Sequence, residues 1–410
     1  MASNDEIKPF KIDISKDQLD FLKSKLDLST FPDGILPDDD DWSQGPPLPT
    51  MRRLVDHWRN DFDWQTAQAK LNKIPQFTTS IDVEGFGALN VHFLHVNKGA
   101  KNAIPLVMIH GWPGTFYEMT KILSYLTDGK NDEPKFEVVV PSLIGYGFSD
   151  GAKKPGFSCV KQGEMCHKLM LKLGFNEYVA QGGDWGMVIA HVMANVYYPQ
   201  HLKAVHINNS DMYEPPSLFK NPLYWLQNQL RGPYTPAEKA GIERTQKFLG
   251  QGLGYNKMHS HRPQTIGYSI QDSPSGLLAW ILDKLHDWTD DYPWTDDEVL
   301  TWVSIFWFST SGPTASFRLY YESQRMPMED KLKYIAWAKC PMGISHFPKD
   351  INVSPLLWAR PMGNFVFERA HDAGGHFAAW EKPQVLASDL KEMFKRGGPV
   401  YGAVSGRDGS

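Results

Sequence analysis

Short apolar runs alternate with stretches of helical period through the middle of the chain. Asn90–Val96 alternates like a strand, and Pro105–His110 and Phe136–Val140 are continuously apolar, as buried parallel strands are. Residues 116–126 and 158–173 carry helical spacing. Glu177–Gln181 predicts a strand, Met187–Ala194 a helix and Lys203–Ile207 another strand. This alternation predicts a doubly wound α/β core with a mainly parallel sheet. It stops near Asp211. From there the periodicity is helical, centred on 219–230, 236–249, 276–287, 296–308 and 314–325. Strand patterns return at 342–347 and 364–368. The pattern therefore divides the chain into a core in two parts, 86–210 and 336–400, interrupted by a helical lid over 211–335.

The first 85 residues read as an accessory arm packed on the core. Phe10, Ile12 and Ile14 alternate as a short strand. Ser15 with Gln18 forms a capping-box pattern, and Leu19, Leu22 and Leu26 supply one helical face behind it. Two more helices are expected, at 49–60 and 64–73, after a Pro- and Asp-rich loop through 36–40. Residues 401–410 are small and polar, and a disordered tail is expected there.

Composition narrows the field of partners. The 410 residues carry 42 basic and 47 acidic side chains, interspersed, for a net charge of −5. A nucleic-acid partner would require a basic face, so none is expected. Three cysteines without a CxxC pair fit reduced thiols. Neither a signal-peptide apolar region nor an eighteen-residue apolar window is visible, so a soluble cytoplasmic protein with no membrane span is expected. The Asn208 and Asn352 N-x-S sequences are then chance occurrences. Aromatic residues crowd 213–337, which would give the lid an aromatic pocket wall.

The candidate chemistry centres on Gly182-Gly183-Asp184-Trp185-Gly186, between a strand and a helix. This is the small-x-nucleophile-x-small form of a nucleophile elbow, with Asp in place of Ser. Attack by a carboxylate on an acyl carbon would give only a reactive anhydride. Attack on an sp3 carbon bearing a leaving group gives a simple ester on the enzyme, which suits epoxides and alkyl halides. The superfamily order of nucleophile, acid and His then points to Asp350, after the strand at 342–347, and His376, after the strand at 364–368. Asp211 is an alternative acid and His371 an alternative base. His110 reads as structural, fixing the loop His110-Gly111-Trp112-Pro113-Gly114. The amides of Trp112 and Trp185 are the candidate oxyanion-hole donors. Gly250–Gly254 is glycine-rich but follows no strand, so it is not read as a phosphate loop.

HGWPG, GYGFSD, GGDWG, FPKD and GGHFAAWEKP together resemble the epoxide hydrolases of the microsomal type. FDWQTAQAKLNKIPQF and DSPSGLLAWILDKL extend the resemblance, so that it spans residues 8–397. No apolar anchor precedes the match, so a soluble, fungal-like member is expected. The resemblance implies an ether-bond hydrolase that turns a small epoxide into a vicinal diol without metal or cofactor. It also implies two lid tyrosines that donate to the epoxide oxygen, Tyr255 and Tyr320, with Tyr321 as a rival to the latter. A homodimer is an open alternative to a monomer. A haloalkane dehalogenase is the nearest competing reading and would need indole or amide donors around a halide instead of phenols. A catalytically silent binding protein would require a missing triad member, and none is missing.

Overall fold

The computed structural model describes residues 6–34, 40–128, 133–210 and 212–410. Its nine strands are β1 (Lys8–Pro9), β2 (Gln76–Val83), β3 (Gly87–Val96), β4 (Ile104–Ile109), β5 (Phe136–Pro141), β6 (Tyr178–Gly182), β7 (Leu202–Ile207), β8 (Ala338–His346) and β9 (Gly363–Ala370). They form one sheet in the order β1-β2-β3-β5-β4-β6-β7-β8-β9. From β5 to β9 every pairing is parallel, while β1, β2 and β3 are joined antiparallel at one edge. β4, β5 and β6 are buried along their whole length. Their continuous apolar runs follow from burial on both faces.

Between β7 and β8 the chain is helical, including Pro236–Lys247, Gly254–His261, Pro274–Asp287, Asp296–Trp307 and Arg318–Gln324. Helices at Gly254–His261, Pro263–Asp272 and Met328–Ile335 were not legible in the sequence pattern. The glycine-rich stretch is a π-helical turn, Phe248–Gly252.

The arm departs from expectation in three ways. Residues 10–14 are not a strand. The Ile12 and Ile14 amides instead donate to the Asn72 and Gln68 side chains, at 2.8 and 2.9 Å. Side-chain amides thus replace the ladder that alternation alone suggested. β2, within residues assigned to the arm, is a full member of the sheet. Finally, the arm helices pack on the lid as well as on the core. Lys25 pairs with Asp272 at 2.5 Å, His57 meets Asp297 at 2.9 Å, and the Trp64 ring lies 5.2 Å from Phe308. The capping box at Ser15 and Gln18 is present.

Residues 401–410 are not a disordered tail. Gly409 accepts from the Lys135 amide and donates to the Asn102 carbonyl, and Arg407 pairs with Glu137 at 3.1 Å. Backbone pairing and a buried acid hold a segment that composition alone marks as loose. The three cysteines are buried free thiols. No helix among the described residues is long and apolar enough to cross a membrane.

Candidate active site

Asp184 sits where β6 ends and the helix Trp185–Tyr197 begins, at φ 51°, ψ −129°. A non-glycine residue in this region is strained, and the surroundings must over-determine it. They do so by close approach. A Cβ on Gly186 would fall 1.8 Å from the Ile109 carbonyl oxygen, and one on Gly111 would fall 2.3 Å from Asp184 Oδ1. Glycine alone lets β4, its loop and the elbow meet. The Asp184 amide donates to Asn209 Oδ1 at 3.1 Å, just past β7.

The carboxylate faces the proposed amides. The Trp112 N–H donates to Asp184 Oδ1 at 2.8 Å, and the Trp185 amide also bonds to the side chain. Burial raises the Asp184 pKa, while His376 and the two amides oppose the rise. His110 fixes the loop, as the sequence suggested. Its Nδ1 meets the Gly111 carbonyl at 3.0 Å, and its Nε2 accepts from the Leu143 amide at 3.2 Å. Burial lowers its pKa to about 4, so it stays neutral and can accept.

β8 and β9 deliver the other two residues. Lys349 bridges to Gly375, tying the two loops together. His376 Nδ1 lies 2.6 Å from Asp350 Oδ1, and its Nε2 lies 3.6 Å from Asp184 Oδ2. Both His376 and Asp350 are buried. Burial alone would lower the His376 pKa. The Asp350 and Asp184 carboxylates outweigh it and push the imidazole up to about 9. Its backbone N–H donates to the Trp288 carbonyl at 2.7 Å. Arg244 of the lid donates to the carbonyls of Asp350 and Lys349 at 2.7 and 2.5 Å, holding the acid loop in place. Arg244, Trp288 and Asn209 carried no sequence signal, because each acts through a contact remote along the chain.

The rival His371 is bound elsewhere: its Nε2 meets Asp389 at 2.6 Å and its ring stacks on Phe347. The rival acid Asp211 lies outside the described residues.

Tyr255 and Tyr320, from the lid helices, are buried, and both feel the Asp184 charge. Their ring centroids are 6.0 Å apart. Tyr255 stacks on Trp112 at 4.9 Å, and Tyr320 meets Trp185 edge-on at 4.9 Å. Burial, with the Asp184 charge adding to it, keeps both phenols well above their ordinary pKa. They are therefore neutral donors at physiological pH. Tyr321 stands apart, under the Arg325 guanidinium at 3.7 Å. His259, missed in the sequence, stacks on Phe317 at 3.8 Å and braces both tyrosine rings.

The described residues hold no cluster of three or more His, Cys, Asp or Glu arranged for a metal.

The "Epoxide hydrolase N terminus" family model matches residues 7–119, and the "alpha/beta hydrolase fold" model matches 104–294. A putative epoxide hydrolase of Stigmatella aurantiaca is 34% identical, over 95% of this chain and 85% of its own length. Epoxide hydrolase 1 of Sus scrofa is 33% identical, over 96% and 89%. The solved structure of Aspergillus niger epoxide hydrolase superposes with a TM-score of 0.80 at 35% identity, covering 95% of this chain and 96% of that one. An elbow carrying Asp, a parallel sheet that brings His to it and a full-length likeness to these proteins lead to one assignment: the chain belongs to the epoxide hydrolase family, on the α/β-hydrolase fold.

Proposed function

We propose that the protein hydrolyses epoxides to vicinal diols through an ester on Asp184. Asp184 attacks one epoxide carbon while Tyr255 and Tyr320 donate to the oxygen that becomes an alkoxide. One phenol gives up its proton to that alkoxide. Esterification removes the Asp184 charge that helped to hold a proton on His376. The imidazolium then returns a proton to the phenolate and becomes a base. His376, oriented by Asp350, takes a proton from water, and the water oxygen bonds to the Asp184 carboxyl carbon. The Trp112 and Trp185 amides stabilise the resulting oxyanion. The ester C–O bond breaks, the second water hydrogen goes to the departing alkoxide, and the diol leaves. The residues return to their starting protonation. We also propose that residues 211–335 act as the lid unit of this site.

The single observation that carries the reading is the position of the Asp184 carboxylate. It lies 2.8 Å from the Trp112 amide and 3.6 Å from a His backed by Asp350, under two neutral phenols. A carboxylate needs no base to attack, whereas water does. His376→Gln should therefore consume one epoxide per enzyme and stop. Intact mass should rise by one epoxide, on the peptide containing Asp184, and hydroxylamine should release it. A folded His376→Gln protein that turns over fully and shows no adduct would overturn the assignment.

A further inference from the structure

The mechanism above leaves one buried carboxyl of the same cluster without a task. Glu118 belongs to the one-turn 3-10 helix Phe116–Met119, just beyond the HGWPG loop. Its side chain turns back over that loop, because a Cβ on Gly114 would fall 1.9 Å from Glu118 Oε2. The carboxyl therefore occupies the crook of the segment whose Trp112 amide grips Asp184. The turn is rigid. Thr115 Oγ1 accepts from the Tyr117 amide at 3.2 Å, and the Glu118 amide donates to the Thr115 carbonyl at 3.1 Å. On its other side, Tyr117 packs on Trp380 at 4.6 Å, in the short helix that follows His376. Glu118 is thus held between the nucleophile loop and the histidine loop.

Its surroundings are unusual for a carboxyl. It is buried, and among the described residues no Lys or Arg pairs with it. The titratable groups it faces are His376, Asp184, Asp350 and Glu381. Burial and the three acids push its pKa up to about 8, against the pull of His376. His376 in turn feels the Glu118 charge. Burying a carboxyl without a paired cation is costly to the fold, and groups perturbed in this way cluster at functional sites.

The second half-reaction supplies one. The attacking water has two O–H groups and must present a lone pair to the ester carbon. One O–H points to His376 Nε2. Unless the other finds an acceptor, the water rotates out of line, and misplacement of this kind costs orders of magnitude in rate. We propose that Glu118 is the water-positioning residue of ester hydrolysis, its carboxyl oxygen accepting the second O–H of the water that His376 deprotonates. Glu118 neither gains nor loses a proton in this role, so the proton balance above is unchanged. Alkylation of Asp184 does not involve it.

This inference rests on the covalent reading, and the test separates the two. Single-turnover kinetics with styrene oxide would follow alkylation and ester hydrolysis separately in Glu118→Ala and Glu118→Gln. In Glu118→Ala, alkylation should keep its wild-type rate and hydrolysis should slow about 10²-fold. The ester would then accumulate during turnover, visible by intact mass, and kcat and KM should fall together. Glu118→Gln keeps the shape and a carbonyl acceptor, so it should restore most of the hydrolysis rate. Unchanged hydrolysis in folded Glu118→Ala, or a Gln variant as slow as the Ala variant, overturns the inference. Absence of any adduct in His376→Gln overturns the covalent reading instead.

Discussion

Beneath the proposed nucleophile lie backbone amides and charged side chains delivered by strand ends; above it lie neutral rings delivered by helices. On the lower side, Asp184, Asp350 and His376 sit on loops after β6, β8 and β9, and the fit is set by glycines that let main chains touch. On the upper side, Tyr255 and Tyr320 are set by the packing of Trp112, Trp185, His259 and Phe317, ring against ring. The difference matches the two steps of the proposed mechanism. Opening an epoxide needs a donor that stays neutral at pH 7, which a buried phenol supplies. Cleaving an ester needs a base and a charge to orient it, which the lower side holds.

The largest break in this comparison should come from below. Asp184→Ala should reduce diol formation at least ~10⁴-fold, since the covalent route disappears. Circular dichroism and melting should show an intact fold, because Ala keeps the elbow backbone and removes only the carboxylate. A folded variant that turns over near the wild-type rate would undo the division between the two sides.

The upper side should fail by degrees. Tyr255→Phe and Tyr320→Phe should each slow alkylation about tenfold, the worth of one hydrogen bond in a buried site. The double variant should lose roughly 10²–10⁴-fold, the whole contribution of the acid. Ester hydrolysis measured separately should change little. Rapid quench of the first turnover is the appropriate readout, and an undiminished alkylation rate in the double variant would move the donor role away from these tyrosines.

The smallest effect is on stability, and it sharpens the charge contrast. His376 at about 9 is protonated in the fold, so its contribution is complete below its ordinary value of 6.5 and is lost as pH rises towards 9. Glu118 at about 8 and Glu381 at about 7 also hold protons that the unfolded chain releases near 4.5, so their contribution is complete below 4.5 and is lost as pH rises to about 7 and 8. Histidines 92, 110, 167, 206, 259 and 346 are instead held neutral by burial, at about 3 to 4. Their contribution is present above 6.5 and is lost as pH falls. Melting temperature should therefore peak near pH 6.5. Glu118→Gln should flatten the alkaline limb and melt above wild type at pH 8 to 9. An unchanged alkaline limb would show that Glu118 ionises freely.

The lower side was also the more legible in sequence. An elbow needs small residues at fixed offsets, so Gly182, Gly183 and Gly186 announce Asp184 directly. Parallel strands are apolar throughout, so β4, β5 and β6 could be bounded to within a residue or so. β2 escaped notice because Thr78, Thr79 and Ser80 dilute its apolar alternation near the sheet edge. The lid was legible only as helical. Which of its tyrosines face inward depends on helix rotation, and neighbours such as Tyr320 and Tyr321 differ by about 100° around the axis. The resemblance to a family, and not the periodicity, selected Tyr320. Glu118 passed unremarked because a lone Glu on a polar turn gives no sign that the chain will bury it.

The arm that laces the lid to the sheet has a consequence for ionic conditions. Its charged links to the lid include Lys25 with Asp272, Arg53 with Asp296 and His57 with Asp297, with at least one partner of each pair open to solvent. Exposed pairs are individually weak and are screened within about 8 Å at physiological salt. His376 and Asp350 are buried and so are screened far less. Added salt should therefore weaken these outer pairs first, leaving ring contacts such as Trp64 on Phe308 to hold the arm against the lid.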